Sequence, residues 1–292
     1  MLSILPLYRF IKKDKPDYII AHLITSLPIF LFKIFKFKTK LILRISGYPK
    51  LNFIRKFFWK LCSKNIHLIT CPSIELKNQL SKLNIFENKK IVVLYDSVIN
   101  IKEVNKQKND PLSNEITKSN YLLAIGRLTK QKNFMFLCKA FRELIQKDNE
   151  IKLVIVGSGE EETKLKKFIK KNDLNRNIIL IGYVKNIYPY FKKSRGFILS
   201  SLWEDPGFVL IEASYCRSLI LSSNSWPGPV ELIKNNFNGI LFENNNLDSF
   251  LSKFEEFKNN TNPQYLKLNS LRLSRKFTLF NHYKNLNQLI KQ

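Results

Sequence analysis

The sequence predicts an α/β fold with two doubly wound domains, each built on a parallel sheet. Short apolar runs alternate with segments whose apolar residues recur at helical spacing, and this alternation is typical of βαβ units. The chain has 292 residues, of which 45% are hydrophobic, so it is long and apolar enough for two buried cores. A polar stretch after residue 100 divides the alternation into two parts.

The first predicted domain covers residues 1–100. Ser73 is the expected N-cap of its third helix, because a serine side chain can accept a hydrogen bond from an N–H group of the first helical turn. The apolar runs predict strands at 18–21, 41–45, 67–70 and 91–94, and the segments between them predict helices at 27–37, 52–63 and 73–83.

Residues 18–35 are the one candidate membrane span in the sequence. The stretch is short for a span and is interrupted by His22, Pro28 and Lys33. We therefore predict a buried strand followed by an apolar core helix. Residues 1–7 are apolar but lack a basic leader and a small-residue cleavage site, so no cleavable signal peptide is predicted.

The polar segment 101–119 is predicted to be a linker. The second domain then covers residues 120–272, and a final segment, 273–292, contains apolar residues at loose helical spacing and is predicted to be a helix. Strands of the second domain are expected at 121–125, 151–156, 178–181, 196–199, 219–221 and 240–242.

The most informative motif is a pair of carboxylates, Glu204 and Glu212, separated by seven residues. An apolar run precedes Glu204, a Pro-Gly turn follows it, and Glu212 lies in the apolar segment after the turn, so the pattern reads as strand, turn and helix. The turn places Glu204 at the carboxyl edge of a sheet, beside a helix N-terminus that can bind an anion. This combination suits a ligand that carries both a phosphate and hydroxyl groups.

Three further segments accompany this pair in order and spacing: residues 126–133, 153–160 and 228–242. Together with the two glutamates they resemble the signature of retaining glycosyltransferases of family 4, also described as glycosyl transferases group 1. In that resemblance, 126–133 corresponds to the donor-phosphate loop and 153–160 to the next strand and glycine turn.

The resemblance implies the GT-B fold, in which two Rossmann-like domains face a cleft. The first domain is expected to be incomplete, because a family member usually opens with a strand, a glycine-rich loop and further βα units before the segment that begins at Asp17. The expectation is a truncated chain, a reduced variant or one half of a split enzyme. The helix in 273–292 is expected to cross back to the first domain.

The resemblance also implies roles for particular residues. Glu212 would hold the ribose hydroxyls and Glu204 the donor sugar, although Asp205-Pro206-Gly207 replaces the common Gly-Phe-Gly that follows the first glutamate. The predicted catalytic residues are Glu204, Arg127 and Lys132. The predicted donor-binding residues are Gly126, Arg127, Lys132, Gly182, Val184, Gly207, Phe208, Val209 and Glu212. On the acceptor side we expect Arg44, Ser46 and Gly47, where many members carry His-Gly.

Arg127 and Lys132 suit a departing nucleoside diphosphate, whose negative charge grows in the transition state. Arginine offers a planar fork and lysine a mobile point charge. The sequence contains no D-x-D motif, and its three histidines show no ligand spacing. We therefore expect neither a metal nor another cofactor, with the nucleotide-sugar acting as co-substrate.

The formal net charge is +26, and residues 1–100 carry 18 Lys and Arg against 5 Asp and Glu. Lys33, Lys36, Lys38 and Lys40 alternate with Phe35, Phe37 and Thr39. This pattern suits an anionic membrane surface, and it could also follow nucleic-acid phosphates. The plainer interpretation is a lysine-rich chain that carries lysine on every solvated face.

The resemblance implies a retaining glycosyltransferase that moves a hexose-type sugar from a nucleotide-sugar to a glycan or lipid-linked acceptor in cell-surface polysaccharide or glycolipid synthesis. One alternative is a nucleotide-sugar-binding subunit or the inactive half of a split glycosyltransferase. The other alternative is a nucleic-acid-binding protein, but the sequence contains no stacking or zinc motif that supports it. Four well-separated cysteines fit a reducing cytosol. The expected location is therefore cytoplasmic, peripheral on the inner face of the membrane.

Overall fold

The structure is a computed structural model that describes residues 4–22, 26–112 and 120–291. The chain forms two compact units, Met1–Asp96 and Ser97–Gln292. The division falls four residues before the predicted end of the first domain at residue 100.

The first unit contains a four-stranded parallel sheet in the order β1-β2-β3-β4. Its elements are α1 (Ile4–Asp14), β1 (Tyr18–His22), α2 (Ser26–Ile34), β2 (Lys40–Arg44), α3 (Phe53–Cys62), β3 (Leu68–Cys71), α4 (Ile74–Lys82) and β4 (Ile91–Val93). Each βα unit adds its strand beside the preceding one. Within the described residues the strand order of this sheet therefore runs in one direction, as in one half of a doubly wound sheet.

The strands and helices predicted from apolar periodicity in this unit are present. The Ser73 side chain caps α4 by accepting a hydrogen bond from the Leu76 N–H at 3.1 Å, as predicted. The candidate span 18–35 forms β1 and α2, with residues 23–25 outside the described part. Among the described residues no helix is both long and apolar enough to span a bilayer. The sequence did not predict α1, which buries Ile11 in the core.

The second unit contains two sheets and the remaining helices. Its elements are α5 (Ile101–Gln107), β5 (Tyr121–Ile125), α6 (Phe134–Lys147), β6 (Lys152–Val156), α7 (Glu162–Lys171), β7 (Ile178–Gly182), α8 (Tyr188–Lys193), β8 (Gly196–Leu199), β9 (Trp203–Glu204), α9 (Phe208–Tyr215), β10 (Ile220–Ser223), β11 (Trp226–Pro227), α10 (Gly228–Leu232), β12 (Ile240–Phe242), α11 (Leu247–Lys258), α12 (Pro263–Ser274) and α13 (Leu279–Lys291).

The large sheet of this unit is parallel and has the order β12-β10-β8-β5-β6-β7. The chain starts at β5, moves outward through β6 and β7, and then crosses back to continue from β8 on the other side. This is the doubly wound, Rossmann-like order, and it places a topological switch point between the carboxyl ends of β5 and β8.

Side chains of β5 alternate between two cores. Leu122 and Ala124 belong to one buried cluster, whereas Tyr121, Leu123 and Ile125 belong to a second. Because successive strand residues point to opposite faces, the sheet is covered by apolar side chains on both sides. This burial explains why the strands read as continuous apolar runs in the sequence.

The segment predicted to be a linker, 101–119, begins with α5, whose Val104 is buried, and residues 113–119 lie outside the described part. The N–H groups of Val98 and Ile99 donate to the Phe277 carbonyl oxygen, and the Leu279 N–H donates to the Ile99 carbonyl oxygen. The terminal helix α13 therefore belongs to the second compact unit. Its return to the first domain stays a prediction.

Candidate functional site

Two loops meet at the switch point of the second sheet. One follows β5 and contains the 130–132 turn, and the other follows β8 and runs from Ser200 to Gly207. The Leu202 N–H donates to the Gln131 carbonyl oxygen at 2.8 Å, and the Gln131 side chain donates to the Trp203 carbonyl oxygen at 2.9 Å. The Ser200 hydroxyl donates to the Lys132 carbonyl oxygen at 2.9 Å. These bonds fix the two loops relative to one another.

Lys132 and Glu204 form an ion pair across this junction, through Nζ and Oε1. Both side chains are largely buried, with 12% of the lysine side chain and 7% of the glutamate side chain exposed. A buried charge is stable only when it is paired and hydrogen-bonded, so each residue holds the other in place. The sequence assigned both residues to the site but did not predict that they touch.

A series of serine hydrogen bonds begins at Glu204. The Ser201 hydroxyl donates to Glu204 Oε1 at 2.6 Å, and the Ser223 hydroxyl donates to the Ser201 carbonyl oxygen at 2.8 Å. Ser225 lies 3.3 Å from Ser223, oxygen to oxygen, and all three serines are buried. Sequence reasoning missed these residues. The available signal was the pairs of serines that follow the apolar runs of β8 and β10.

Gly207 forms the turn between Glu204 and α9. Its φ of 89° lies in the left-handed region, which disfavours any residue with a Cβ atom, and a Cβ built on it would lie 3.5 Å from the Glu204 Cβ. The following segment packs more closely still, because a Cβ on Gly228 would lie 2.2 Å from the Pro206 carbonyl oxygen. β9 and β11 pair beside this contact, with Glu204 opposite Pro227.

Glycines also end three neighbouring strands of the sheet. The Gly126 N–H donates to the Val156 carbonyl oxygen at 3.0 Å, and the Gly157 N–H donates to the Gly182 carbonyl oxygen at 2.8 Å. A Cβ built on Gly157 would lie 1.9 Å from the Gly126 carbonyl oxygen. A Cβ on Gly126 would lie 3.1 Å from the Lys132 side chain. Lys132 therefore crosses directly over the Gly126 backbone.

Arg127 lies in the same loop as Lys132 and is exposed. Its guanidinium makes no hydrogen bond or ion pair with any residue that the structure describes. One cation of this loop is therefore paired and partly buried, while the other is available at the carboxyl edge of the sheet. An unpaired guanidinium can bind a phosphate through two parallel hydrogen bonds.

Glu212 lies on the second turn of α9 and is mostly buried. Burial raises the pKa of its carboxyl group to about 7. In the described parts of the chain its carboxylate makes no hydrogen bond or ion pair, and it has no direct bond to Glu204. Tyr188 and Cys216 are close enough that the charge of Glu212 contributes to raising the pKa of each of these groups. A largely buried acid with no partner is typical of a ligand-binding position.

The other predicted donor-side residues lie around the same edge. Phe208 begins α9 and is exposed, whereas the next residue, Val209, is buried. Gly182 ends β7 with a φ of 82°, and Val184 is partly buried against the second core. The loop after β7 is anchored by Asn186, whose side-chain amide donates to the Gln107 carbonyl oxygen at 2.9 Å.

The predicted acceptor-side residues belong to the first unit. Arg44 is buried and donates to the Leu94 carbonyl oxygen at 2.7 Å and to Asp96 at 2.5 Å, so its guanidinium holds the segment after β4. Ser46 and Gly47 are exposed just beyond the carboxyl end of β2. Ser46 Oγ lies 2.8 Å from Nε2 of His22, the last residue of β1. The sequence did not predict that His22 would accompany Ser46.

Among the residues with described structure, no three His, Cys, Asp or Glu side chains are close enough together to hold a metal ion. The expectation of a metal-free site stays a prediction. Paired and unpaired cations, a buried carboxylate and glycine-lined strand ends are all present at a Rossmann-like switch point. A switch point of this kind is where open parallel α/β sheets bind their ligands.

Comparison with known proteins identifies the family. Residues 105–270, more than half of the chain, match the family described as "Glycosyl transferases group 1", and the protein belongs to that family. An uncharacterised glycosyltransferase of Methanocaldococcus jannaschii is 31% identical over 244 residues, which are 77% of this chain and 60% of the relative.

A second relative is the N-acetylgalactosamine-N,N'-diacetylbacillosaminyl-diphospho-undecaprenol 4-alpha-N-acetylgalactosaminyltransferase of Campylobacter jejuni. It is 26% identical over 248 residues, 82% of this chain and 64% of the relative. The chain thus spans less than two thirds of the length of these relatives. The crystal structure of a glycosyltransferase from Rickettsia africae superposes with a TM-score of 0.82 and 19% identity, covering 99% of this chain and 80% of that one. This likeness establishes the shared GT-B fold.

Proposed function

We propose that the protein is a retaining glycosyltransferase that moves a hexose-type sugar from a nucleotide-sugar to a glycan or lipid-linked acceptor. The observation that carries this proposal is the Lys132–Glu204 pair at the switch point, with the unpaired Arg127 in the same loop. The two cations, Lys132 and Arg127, suit a diphosphate, and the Glu204 carboxylate suits sugar hydroxyls. The same junction therefore has binding groups for both parts of a nucleotide-sugar.

Lys132 and Arg127 would stabilise the departing diphosphate. The ammonium group has three donors, so the bond to Glu204 leaves two for phosphate oxygens. Arg127 supplies a second, planar set of donors. The bond to Glu204 holds Lys132 before the reaction starts, and preorganised charge of this kind is commonly the largest contribution to transition-state stabilisation. The proposal assigns this role to the two side chains and requires no metal ion.

The two glutamates would hold the sugar and the ribose. Glu204 receives its described bonds on Oε1, so Oε2 can accept a donor-sugar hydroxyl. Glu212 would accept the ribose hydroxyls, which would favour the ionised form of a carboxyl group whose pKa is about 7. Retention of configuration would follow from attack on the face from which the diphosphate departs, with protein groups mainly positioning the reactants.

The acceptor side is proposed to include Ser46, Gly47 and His22, at the carboxyl edge of the first sheet. The name of the Campylobacter relative specifies a diphospho-undecaprenol acceptor, which supports a lipid-linked glycan as the acceptor class here. A cytoplasmic location, peripheral on the inner face of the membrane, is part of the same proposal.

A panel of nucleotide-sugars tests the proposal in two stages. Thermal shift identifies the donor, since a ligand at 100 times its dissociation constant stabilises the native state by about 2.7 kcal/mol. Transfer and hydrolysis of that donor are then measured, and NMR reports the anomeric configuration of the product. Inversion would contradict the proposed mechanism. Donor binding without turnover, with any acceptor offered, would instead identify a nucleotide-sugar-binding subunit.

A further inference from the structure

The orientation of α3 in the first unit is fixed by one buried tryptophan. Trp59 is 1% exposed, and its indole N–H donates to the Ser26 hydroxyl oxygen at 2.8 Å. Arg55 also donates to Ser26, at 3.2 Å, and its guanidinium lies 4.9 Å from the centre of the Trp59 ring. These contacts hold one face of α3 against the unit and direct the opposite face toward solvent.

The outward face of α3 is apolar. Phe53 is 84% exposed and Phe57 63% exposed, and Ile54 and Leu61 are exposed beside them. At 3.6 residues per turn these four side chains lie within an arc of about 100°. Phe30 and Ile34, one turn apart on α2, are also exposed, and the Phe30 ring lies 6.0 Å from that of Phe58 on α3. We call these six residues, Phe30, Ile34, Phe53, Ile54, Phe57 and Leu61, the α2–α3 patch.

The stretch of sequence that forms this patch carries charge of one sign. Residues 18–74, which include α2 and α3 entirely, contain ten Lys and Arg and no Asp or Glu. Lys56 and Lys60 occupy the sector of α3 next to the apolar arc, and Lys33 lies between Phe30 and Ile34 in the sequence of α2; all three are exposed. A contiguous exposed apolar patch is typical of an interaction site, and this one is bordered by cations.

We propose that the α2–α3 patch docks on an anionic lipid bilayer, with its aromatic and aliphatic side chains in the interface and the lysines on lipid headgroups. A helix with one apolar sector and an adjacent lysine sector matches the two chemistries of such a surface. The uniform positive charge disfavours a second copy of this chain, because the same cations would face one another. An RNA would use the lysines but not the aliphatic side chains.

The structure changes where this surface is expected to lie. Sequence patterning pointed to Lys33–Lys40 and the phenylalanines between them. Phe37 instead packs inward, with its ring 5.0 Å from that of Phe32 and 6.0 Å from that of Tyr8. Its neighbours Lys36 and Lys38 remain exposed and contribute charge. The apolar component comes from α3, which the sequence predicted only as a helix between two strands.

Vesicle sedimentation of the full chain tests the proposal without any donor or acceptor, so its outcome is independent of the proposed activity. The vesicles are either pure phosphatidylcholine or phosphatidylcholine with roughly 30% phosphatidylglycerol as the anionic lipid. Phe57→Glu is compared with Phe280→Glu on α13, where the phenylalanine is 68% exposed. We expect Phe57→Glu to reduce the partition coefficient on anionic vesicles about tenfold or more, since one buried aromatic side chain is lost and a like charge is added.

A lysine double variant and a high-salt wash separate the electrostatic contribution to vesicle binding from the apolar one. Lys56→Gln with Lys60→Gln should weaken binding to anionic vesicles but not to neutral ones, and high salt should release only part of the wild-type protein, because apolar contacts are not screened. Equal binding by Phe57→Glu and Phe280→Glu would overturn the proposal, provided that both variants melt like the wild type. Binding to RNA that Phe57→Glu leaves unchanged, or self-association that it abolishes without vesicle binding, would also overturn it.

Discussion

Ser201 and Glu204 share a 2.6 Å hydrogen bond to Oε1, the same carboxylate oxygen that contacts the Lys132 ammonium. Oε2 receives no hydrogen bond from the described residues. The described residues therefore hold the carboxylate through one of its two oxygens only. A side chain fixed in this way can accept a ligand hydroxyl without first breaking its own contacts, which is how preorganisation lowers the cost of binding.

Replacing Lys132 should affect both turnover and stability. Lys132→Ala removes a proposed diphosphate contact and leaves Glu204 buried without its counter-charge. We expect turnover to fall roughly 10²–10³-fold and the free energy of unfolding to fall by about 3–5 kcal/mol, as for other broken buried pairs. Steady-state kinetics and thermal melting measure the two effects. Lys130→Ala, an exposed lysine in the same turn, is the control and should change neither.

Arg127→Ala should lower turnover without lowering stability. Because the guanidinium is exposed and makes no described contact, its loss should leave the melting temperature within error of the wild type. Turnover should nevertheless fall about 10²-fold if the side chain binds the departing diphosphate. Wild-type turnover in this variant would remove Arg127 from the site and leave it as a solvated loop residue.

Glu212 should produce a distinctive pH dependence of stability. Its folded pKa of about 7 exceeds the reference value of 4.5, so between these pH values the folded state binds more protons than the unfolded state. Its contribution to stability is therefore present at low pH and is lost as pH rises toward 7, by about 1.4 kcal/mol for each pKa unit. Glu212→Gln should abolish this pH dependence and melt higher than the wild type at pH 8.

The same variant should bind nucleotide less tightly. A neutral amide accepts a ribose hydroxyl less strongly than a carboxylate does, and we expect roughly tenfold weaker binding of the nucleoside diphosphate at pH 8. Wild-type affinity should decline below pH 7 more steeply than that of Glu212→Gln, because only the wild type has a carboxyl group at this position that protonates there. Calorimetric titration at pH 6 and pH 8 measures both trends. Equal affinities of the two forms at pH 8 would exclude Glu212 from the ribose site.

Gly207→Ala should disturb the turn that carries Glu204. The backbone φ of 89° costs an L-residue about 1–2 kcal/mol, which corresponds to a drop in melting temperature of a few degrees. Turnover should fall as well, because the strain is relieved by moving Glu204 or the start of α9. Lys130→Ala, at an exposed residue outside this turn, is the control. A Gly207 variant as stable and active as this control would show that the turn tolerates a side chain.

Apolar periodicity was sufficient to predict most of the secondary structure. The strand predicted at 121–125 is observed as Tyr121–Ile125, and that predicted at 196–199 as Gly196–Leu199, because both are continuous buried runs ended by turns. The α1 helix was overlooked, although Ile4, Leu7 and Ile11 have helical spacing, since that stretch was considered only as a possible leader. The two-residue strands β9 and β11 are too short to produce any periodicity.

The sequence named residues that the structure brings together at the switch point, but it did not predict their contacts. Lys132 and Glu204 are 72 residues apart and meet because β5 and β8 are neighbours in the sheet. Local patterns do not determine that adjacency, which depends on where the strand order reverses. The same limit applies to Ser223 behind Ser201, and to His22 beside Ser46, where each contact joins residues at the carboxyl ends of different strands.

The contact between Gly157 and Gly126 constrains how the protein could be redesigned. With 1.9 Å between a Gly157 Cβ and the Gly126 carbonyl oxygen, no side chain at position 157 can fit unless the two strands separate. Directed evolution toward another substrate should therefore recover Gly157 unchanged from any library. Tolerated diversity should instead concentrate at exposed positions of the adjoining loops, such as Tyr183 and Phe208, which can vary without moving the sheet.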